Sequence, residues 1–378
     1  MKRSVGLIVF LVLVGAVICA CAEKAGIFTS GDYKYTLYED GAAVITKYNG
    51  KTEKLMIPAE LDGYAVKGIG NMAFFDCDSL ISIILPDSIT NIGTLAFAGC
   101  NSLTSTILPN SITSIGDWAF SGCGLTSINL PNSITYLGSN PWRDCENLAT
   151  IIVSQKHPSL AVIDGILYSK ADKRLVWYPM TSKANTFEVP NGIRTIDDYA
   201  FCKCTNLSLI TLPNSIIGIG NNAFSTCSGL ISINLPNSIT SIGNYAFYNC
   251  KSLTSIILPD SINTISDGTF ADCGCLTTIT MQNSITSIGN DAFYKCSSLT
   301  SIKIPDGVTA IGSSAFYHCY SLTSFTIPDS VTIIGKETFD ACDDLILTVS
   351  ENSYAEQYCI DNALPYTYQN ASLDWLNE

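Results

Sequence analysis

Leu253-Thr254-Ser255-Ile256-Ile257-Leu258-Pro259-Asp260-Ser261-Ile262-Asn263-Thr264-Ile265 is one copy of a unit that recurs along most of the chain. The preceding copy continues through Ile242-Gly243 to Ala246-Phe247-Tyr248-Asn249-Cys250, which completes the period. Cysteine marks that period. Cys77, Cys100 and Cys123 stand 23 residues apart, Cys145 follows after 22, and Cys204, Cys227, Cys250, Cys273, Cys296, Cys319 and Cys342 resume the step of 23. Self-similarity at a fixed step of this length is the mark of a stacked repeat protein.

The residue types say how one unit folds. Leu253, Ile256 and Leu258 end in the alternation of a short strand, and β-branched residues favour extension. Pro259 removes a backbone donor and ends the strand, and Asp260-Ser261 supply turn chemistry. Ile262 and Ile265 then point inward. The Gly that follows, replaced only by Asp197 and Ser266 among eleven units, is expected to take a backbone conformation unfriendly to a β-carbon. The Ala-Phe-x-x-Cys piece is too short for a free helix and reads as a helical turn held by its buried Phe. No unit can bury its Leu, Ile and Phe alone, whereas stacked units can. The sequence therefore predicts one solenoid with a continuous core rather than several domains.

Composition agrees. Across 378 residues, 33 acidic against 20 basic side chains leave a net charge of −13, with no basic footprint for a phosphate backbone. Nucleic acid is thereby excluded as a partner. Two histidines are few for zinc, haem or triad chemistry, and hydrophobic residues at 47% exclude a disordered chain.

The consensus L-x-x-I-x-[LI]-P-[DN]-[SG]-[IV]-x-x-I-G-x-x-[AT]-F-x-x-C, running from Leu55 to Val349, resembles the BspA-type leucine-rich repeat of bacterial surface proteins. Departures are local: Thr106 at an inward position, Gln282 and Ser154 for the turn Pro, Pro141-Trp142 for Ala-Phe. The resemblance implies an α/β solenoid, a right-handed leucine-rich repeat stack of about 11–12 coils. It also implies adhesion or binding to host or bacterial macromolecules on the outside of a bacterium.

The ends divide the chain further. Met1-Lys2-Arg3 followed by the apolar run Val5 to Ile18 reads as a signal peptide over residues 1–22. Two cleavage patterns fit. Ala20-Cys21-Ala22 suits ordinary signal peptidase, releasing a chain from Glu23, whereas Ile18-Cys19-Ala20-Cys21 resembles a lipobox in which Cys21 is lipidated. Membrane contact is expected only through such a lipid. Residues 23–54 are expected to form a β-hairpin cap turning at Glu39-Asp40-Gly41, and residues 55–350 the solenoid. In residues 351–378, a helix over Ser353 to Asn362 and a short extended piece over Pro365 to Tyr368 form the C-terminal cap, ahead of a tail with Trp375.

The step from Cys145 to Cys204 is 59, so one unit carries an insertion, residues 154–190. Its Ile166-Leu167-Tyr168 and Leu175-Val176-Trp177-Tyr178 runs suggest a hairpin projecting from the stack. With Lys156, Lys170, Lys173, Arg174 and Lys183 beside His157, it is the one locally basic, aromatic stretch of an acidic chain. Tyr168, Lys173, Arg174 and Trp177 are therefore candidate ligand-binding residues. The competing reading is that Tyr168 and Trp177 only pin the hairpin to neighbouring coils.

A second candidate is the strand face. Positions after each Leu, including Thr254, Thr277, Thr300 and Thr323, and those before the last strand residue, including Ile84, Ile107, Ile152, Ile257 and Lys303, form ladders of Thr, Ser, Asn and Ile with little charge. Thr254, Thr277, Thr300, Thr323 and Lys303 are the residues expected to contact an extracellular protein or glycan, since solenoid faces suit extended partners. The cysteine column could in principle be a disulfide or metal ladder. The same inward position in every coil, with no C-x-x-C or His partner, favours structural packing and no metal. His318 sits at the variable position before Cys319, and no catalytic motif or cofactor fingerprint is found. The expectation is a binding protein that is not an enzyme and needs no cofactor. The alternative is a passive envelope spacer without a dedicated ligand.

Overall fold

The computed structural model describes residues 23–38 and 40–369. They form a solenoid of about 14 turns of ~23 residues with stacked parallel strands. The coil that begins at Leu253 shows the plan. Strand Ser255–Ile257 pairs in parallel with Thr278–Thr280, the chain turns at Pro259, and a second strand, Thr264–Ile265, pairs in parallel with Ser287–Ile288. The second strand was not apparent in the sequence, because two residues are too short to show an alternation. A third wall follows, from Ser266 to Cys273.

That wall is where the structure departs from a helical turn. Gly268, Phe270 and Asp272 donate their N–H groups to Asn290, Ala292 and Tyr294 of the next coil at 2.7–2.9 Å. The residues between them, Thr269, Ala271 and Cys273, donate to the carbonyl three residues back. Two left-handed residues, Gly268 and Asp272, punctuate the segment at φ 59° and 58°. A helix needs consecutive right-handed residues with bonds inside the segment. Here every second N–H leaves the coil, so the wall is a chain of tight turns sewn to its neighbour.

The conserved-looking Gly of each unit has a different cause from the one expected. Gly243 and Gly312 do not take positive φ. A β-carbon on them would lie 2.6 Å and 2.4 Å from the backbone nitrogens of Asn221 and Asn290 in the preceding coil. Close approach of two coils, not local conformation, selects glycine. Where Ser266 stands instead, its Oγ donates to the carbonyl of Ile242 at 2.6 Å.

Inside, the Phe of each coil stacks on the next. From Phe201 through Phe224, Phe247, Phe270, Phe293 and Phe316 to Phe339, ring centroids are 5.1–5.7 Å apart and nearly parallel. Such offset stacks add to the burial of the rings themselves. The column also runs into the N-terminal cap, where Tyr48 stacks on Phe74 at 5.1 Å. That cap is the expected hairpin, Tyr33–Tyr38 with Ala43–Tyr48, extended by an unanticipated outer strand, Glu23–Ser30. At the other end helix Tyr354–Asp361 is capped by Ser353, whose Oγ accepts the Glu356 N–H, and Tyr366–Tyr368 pairs in parallel with Ile346–Val349. Residues 1–22, with Cys21, and residues 370–378, with Trp375, lie outside the described residues.

The insertion does not project. Strands Leu160–Ile163, Ile166–Ser169 and Arg174–Trp177 form an antiparallel sheet within the stack, and the last of them pairs in parallel with Thr195–Ile196 of the following coil. All four residues of Ile166–Ser169 are buried. Leu167, Val176 and Trp177 face the N-terminal core, while Ile166, Tyr168, Leu175 and Tyr178 face the C-terminal one. The core is therefore two clusters separated by this sheet, not one continuous column. Apolar residues on both alternations of these strands are the pattern of burial on both faces.

Candidate functional site

The first sheet wall presents the expected strand-face residues to solvent. Thr254, Thr277, Thr300, Thr323 and Lys303 are all exposed, while Ile256, Ile279, Ile302 and Phe325 between the ladders point into the core. Period-two alternation places them so. Where adjacent strands pair, the register is kept, with Ser255 opposite Thr278 and Ser301 opposite Ser324, while the ladder is interrupted between Ser232–Asn234 and Ser255–Ile257 and between Thr278–Thr280 and Ser301–Ile302. The hydroxyls are partly committed to the scaffold: Thr277 Oγ1 donates to the carbonyl of Thr254 at 3.0 Å, a bond across one coil. Lys303 lines a cleft of about 600 Å³ with Asp306, Thr326, Asp329 and Gln369.

The face is not chemically uniform. In the N-terminal half its outer ladder reads Met56, Ile84, Ile107, Asn129 and Ile152, with Met56 70% and Ile107 67% exposed. In the C-terminal half the same ladder reads Thr211, Asn234, Ile257, Thr280, Lys303 and Thr326. An apolar half and a hydroxyl-rich half thus share one wall. The sequence shows each ladder, but only the stacking shows that the apolar members are adjacent.

The insertion fares differently. Tyr168 is 4% and Trp177 2% exposed, so both leave the candidate surface. Arg174 pairs with Asp197 at 2.5 Å and with Asp172 at 3.2 Å. Burial pushes the Asp197 carboxyl up to about 6 despite the opposing pull of Arg174. Lys170 donates to the carbonyl of His157. Lys173 remains exposed at the turn before the third strand. The expected patch therefore loses its two rings, which are needed between two cores, and Arg174, which is ion-paired, and keeps the exposed Lys156, Lys173 and Lys183.

His157 is wholly buried within this insertion. Its Nδ1 accepts the N–H groups of Ser159 and Leu160, and its Nε2 meets the carbonyl of Pro131 at 3.2 Å. The ring is thereby held neutral with the proton on Nε2, and burial lowers its proton affinity.

The cysteine column lies behind the turn wall. Cys100, Cys123, Cys145, Cys227, Cys250, Cys273, Cys296, Cys319 and Cys342 are free, buried thiols, each donating to a carbonyl of the preceding coil at 3.0–3.2 Å. In all nine that acceptor is the Phe of the preceding coil. Cys204 is buried and free as well, and Cys77, at the N-terminal end, is partly exposed. Burial pushes the Cys273 thiol up to about 12, far from the thiolate that metal ligation and nucleophilic attack require. Of the out-of-phase cysteines, Cys202 is partly exposed, Cys275 exposed, and Cys359 buried in the terminal helix. No cluster of metal-ligating side chains occurs among the described residues.

A family model described as the BspA type leucine-rich repeat region matches residues 67–164, 178–296 and 263–365, in six copies. The chain belongs to the BspA-type leucine-rich repeat family. The gap in that match, residues 165–177, coincides with the two inner strands of the insertion. Three solved structures are similar to this BspA-type chain. A leucine-rich repeat protein from Eubacterium ventriosum is 24% identical with a TM-score of 0.69, over 82% of this chain and 93% of that one. A leucine rich cell surface protein from Faecalibacterium prausnitzii is 26% identical with a TM-score of 0.50, over 82% and 94%. The pneumococcal vaccine antigen PcpA is 19% identical with a TM-score of 0.57, over 92% and 99%, and shares the fold. No relative among curated proteins matches. BspA-type arrays are protein-binding, adhesion-type scaffolds, a class that is generally not enzymatic.

Proposed function

We propose that the protein is exported, displayed at a bacterial cell surface, and binds an extended extracellular macromolecule along its first sheet wall. The observation that carries the reading is the wall itself: in-register rows of exposed aliphatic and hydroxyl side chains with little charge, on a backbone fixed by inter-coil hydrogen bonds. A rigid, weakly charged surface loses little entropy on binding and repels few partners. Met56, Ile84 and Ile107 offer contiguous apolar contact, and Thr277, Thr300 and Thr323 offer hydrogen bonds further along. A polypeptide or glycan strand lying along the stack would meet both in turn. The cell-surface relative from Faecalibacterium prausnitzii supports display outside the cell.

The test is saturable binding of the purified protein to extracellular-matrix proteins and to a glycan array. Thr254→Lys with Thr300→Lys should abolish it by placing two charges on the wall. Binding that survives this pair would place the site elsewhere, and no saturable binding at all would favour the envelope spacer. Attachment is a separate question. Incorporation of a palmitate analogue that Cys21→Ala removes would establish a lipid anchor, and no incorporation would leave secretion.

A further inference from the structure

The turn wall carries aromatic side chains that the fold does not require. The position after the stacked Phe is Ala98, Ser121, Ser225 and Ala271 in four coils and carries a lone aromatic at Phe75 and Tyr248, but only Tyr294 and Tyr317 are aromatic in two adjacent coils. The position after the column Cys is non-aromatic in every other unit, Asn101, Gly124, Ser228 and Ser297 among them, yet Tyr320 here. Non-aromatic residues satisfy the same backbone in most other coils, so the turn wall itself does not require a ring at either position. These departures converge in space. Tyr294 and Tyr317 stack at 5.4 Å and 7°, His318 stands edge-on to Tyr317 at 4.2 Å, and the Tyr320 hydroxyl meets His318 Nδ1. Lys295 places its ammonium 5.0 Å from the Tyr294 ring centre.

Two properties suit this cluster to a ligand. First, it is rigid. Lys295 N–H donates to the carbonyl of Tyr317 and His318 N–H to that of Asp340, so the backbone beneath the rings is sewn to the next coil. Second, its exposed parts are mixed: Tyr320 is 51% exposed, its ring lies 5.1 Å from the His318 imidazole, and the Lys295 ammonium and the Tyr294 and Tyr317 rings belong to the same cluster. The faces of Tyr294 are occupied by Tyr317 and Lys295, which leaves Tyr320 as the open platform. A partner offering an apolar face edged with hydroxyl groups fits that arrangement, and a pyranose ring is such a partner. A purely aliphatic hot spot would leave the polar edges unpaired.

We propose that Tyr320, His318, Lys295 and the Tyr294–Tyr317 pair form a saccharide-binding site on the turn wall, distinct from the sheet wall. A sugar ring stacks on Tyr320, and the His318 imidazole and Lys295 ammonium hydrogen-bond its hydroxyls.

The experiment is titration calorimetry of the full-length protein with cellotetraose, chitotetraose, mannotetraose and a polygalacturonate oligomer. At least one should bind saturably with Kd below about 5 mM. Tyr320→Ala should weaken it at least about tenfold, while Tyr320→Phe, which keeps the ring, should cost less than about threefold. His318→Ala should fall between them, and Thr254→Lys with Thr300→Lys should leave it unchanged, which separates this site from the sheet wall. Melting temperatures within about 2 °C of wild type confirm that the exposed substitutions leave the fold intact. Failure of all four saccharides to bind, or binding indifferent to Tyr320→Ala, overturns the proposal.

Discussion

Replacing Phe270 with Ala tests both the stacked column and the division of the core. The ring is fully buried and lies 5.6 Å from Phe247 on one side and 5.6 Å from Phe293 on the other. Its removal loses the burial of a phenyl group and opens a cavity that coils locked by backbone bonds cannot close, a loss of about 3–5 kcal/mol. The two stacks, roughly 0.5–1.5 kcal/mol each beyond burial, put the value towards the upper end of that range. In a nearest-neighbour stack the damage stays local. The sheet of the insertion separates the core holding Phe270 from the one that holds Trp142 and Trp177. In a Trp375→Phe background, intrinsic fluorescence reports the N-terminal half through Trp118, Trp142 and Trp177. Far-UV circular dichroism reports both halves. In urea, Phe270→Ala should lower the midpoint of the dichroism transition of the C-terminal half by roughly 1–2 M. The fluorescence midpoint should move by less than about 0.3 M, since coupling across the insertion is limited to its edge contacts. Equal shifts in both probes would refute the division into two units, and a dichroism shift below about 0.3 M would refute the weight placed on the ring column.

Three further outcomes follow from the same geometry. Gly312→Ala should destabilise by about 1–3 kcal/mol in thermal melts, because its β-carbon meets the Asn290 nitrogen at 2.4 Å, whereas Ser266→Gly should cost less than about 1 kcal/mol. In a thiol titration at pH 8, Cys275→Ala should remove one equivalent of the rapid phase, and the buried column thiols should react only in denaturant. Acidification should destabilise the N-terminal half through His157. The unfolded imidazole binds a proton near pH 6.5 and the native one resists it, so stability is complete above 6.5 and falls as pH drops below it. Asp197 acts in the opposite direction. Its native carboxyl, raised to about 6 from 3.8, holds a proton that the unfolded state has lost, so its contribution is present at low pH and declines as pH rises through 6. His157→Asn should therefore flatten the fluorescence-detected slope between pH 6.5 and 5.5, and an unchanged slope would assign it to another group.

Much of this was legible in the chain. The period of 23, the Pro that ends the first strand, the Phe of the core and the hairpin and helix at the ends all follow from residue type and spacing. Each is a local property copied many times, and copying turns a weak signal into a strong one. The strand-face candidates Thr254, Thr277, Thr300 and Thr323 were legible for the same reason, since alternation alone assigns them outward. The insertion was legible only in part because it occurs once. Its aromatics had no copies against which to be compared; that Tyr168 and Trp177 pin the segment to neighbouring coils was read from residue type, whereas its place within the stack was not.

Sequence by itself determined that the chain coils, where each coil begins and which side chains it buries, because a repeat cannot bury its apolar residues without its neighbours. Tertiary structure alone decided three things. It made the Ala-Phe-x-x-Cys wall a set of turns, because half of its N–H groups bond across the stack. It selected glycine after the second strand in nine of eleven units, because adjacent coils approach there to within the reach of a β-carbon. It brought Tyr294, Tyr317, His318 and Tyr320 together, because residues one period apart in the chain become nearest neighbours only when the coils stack.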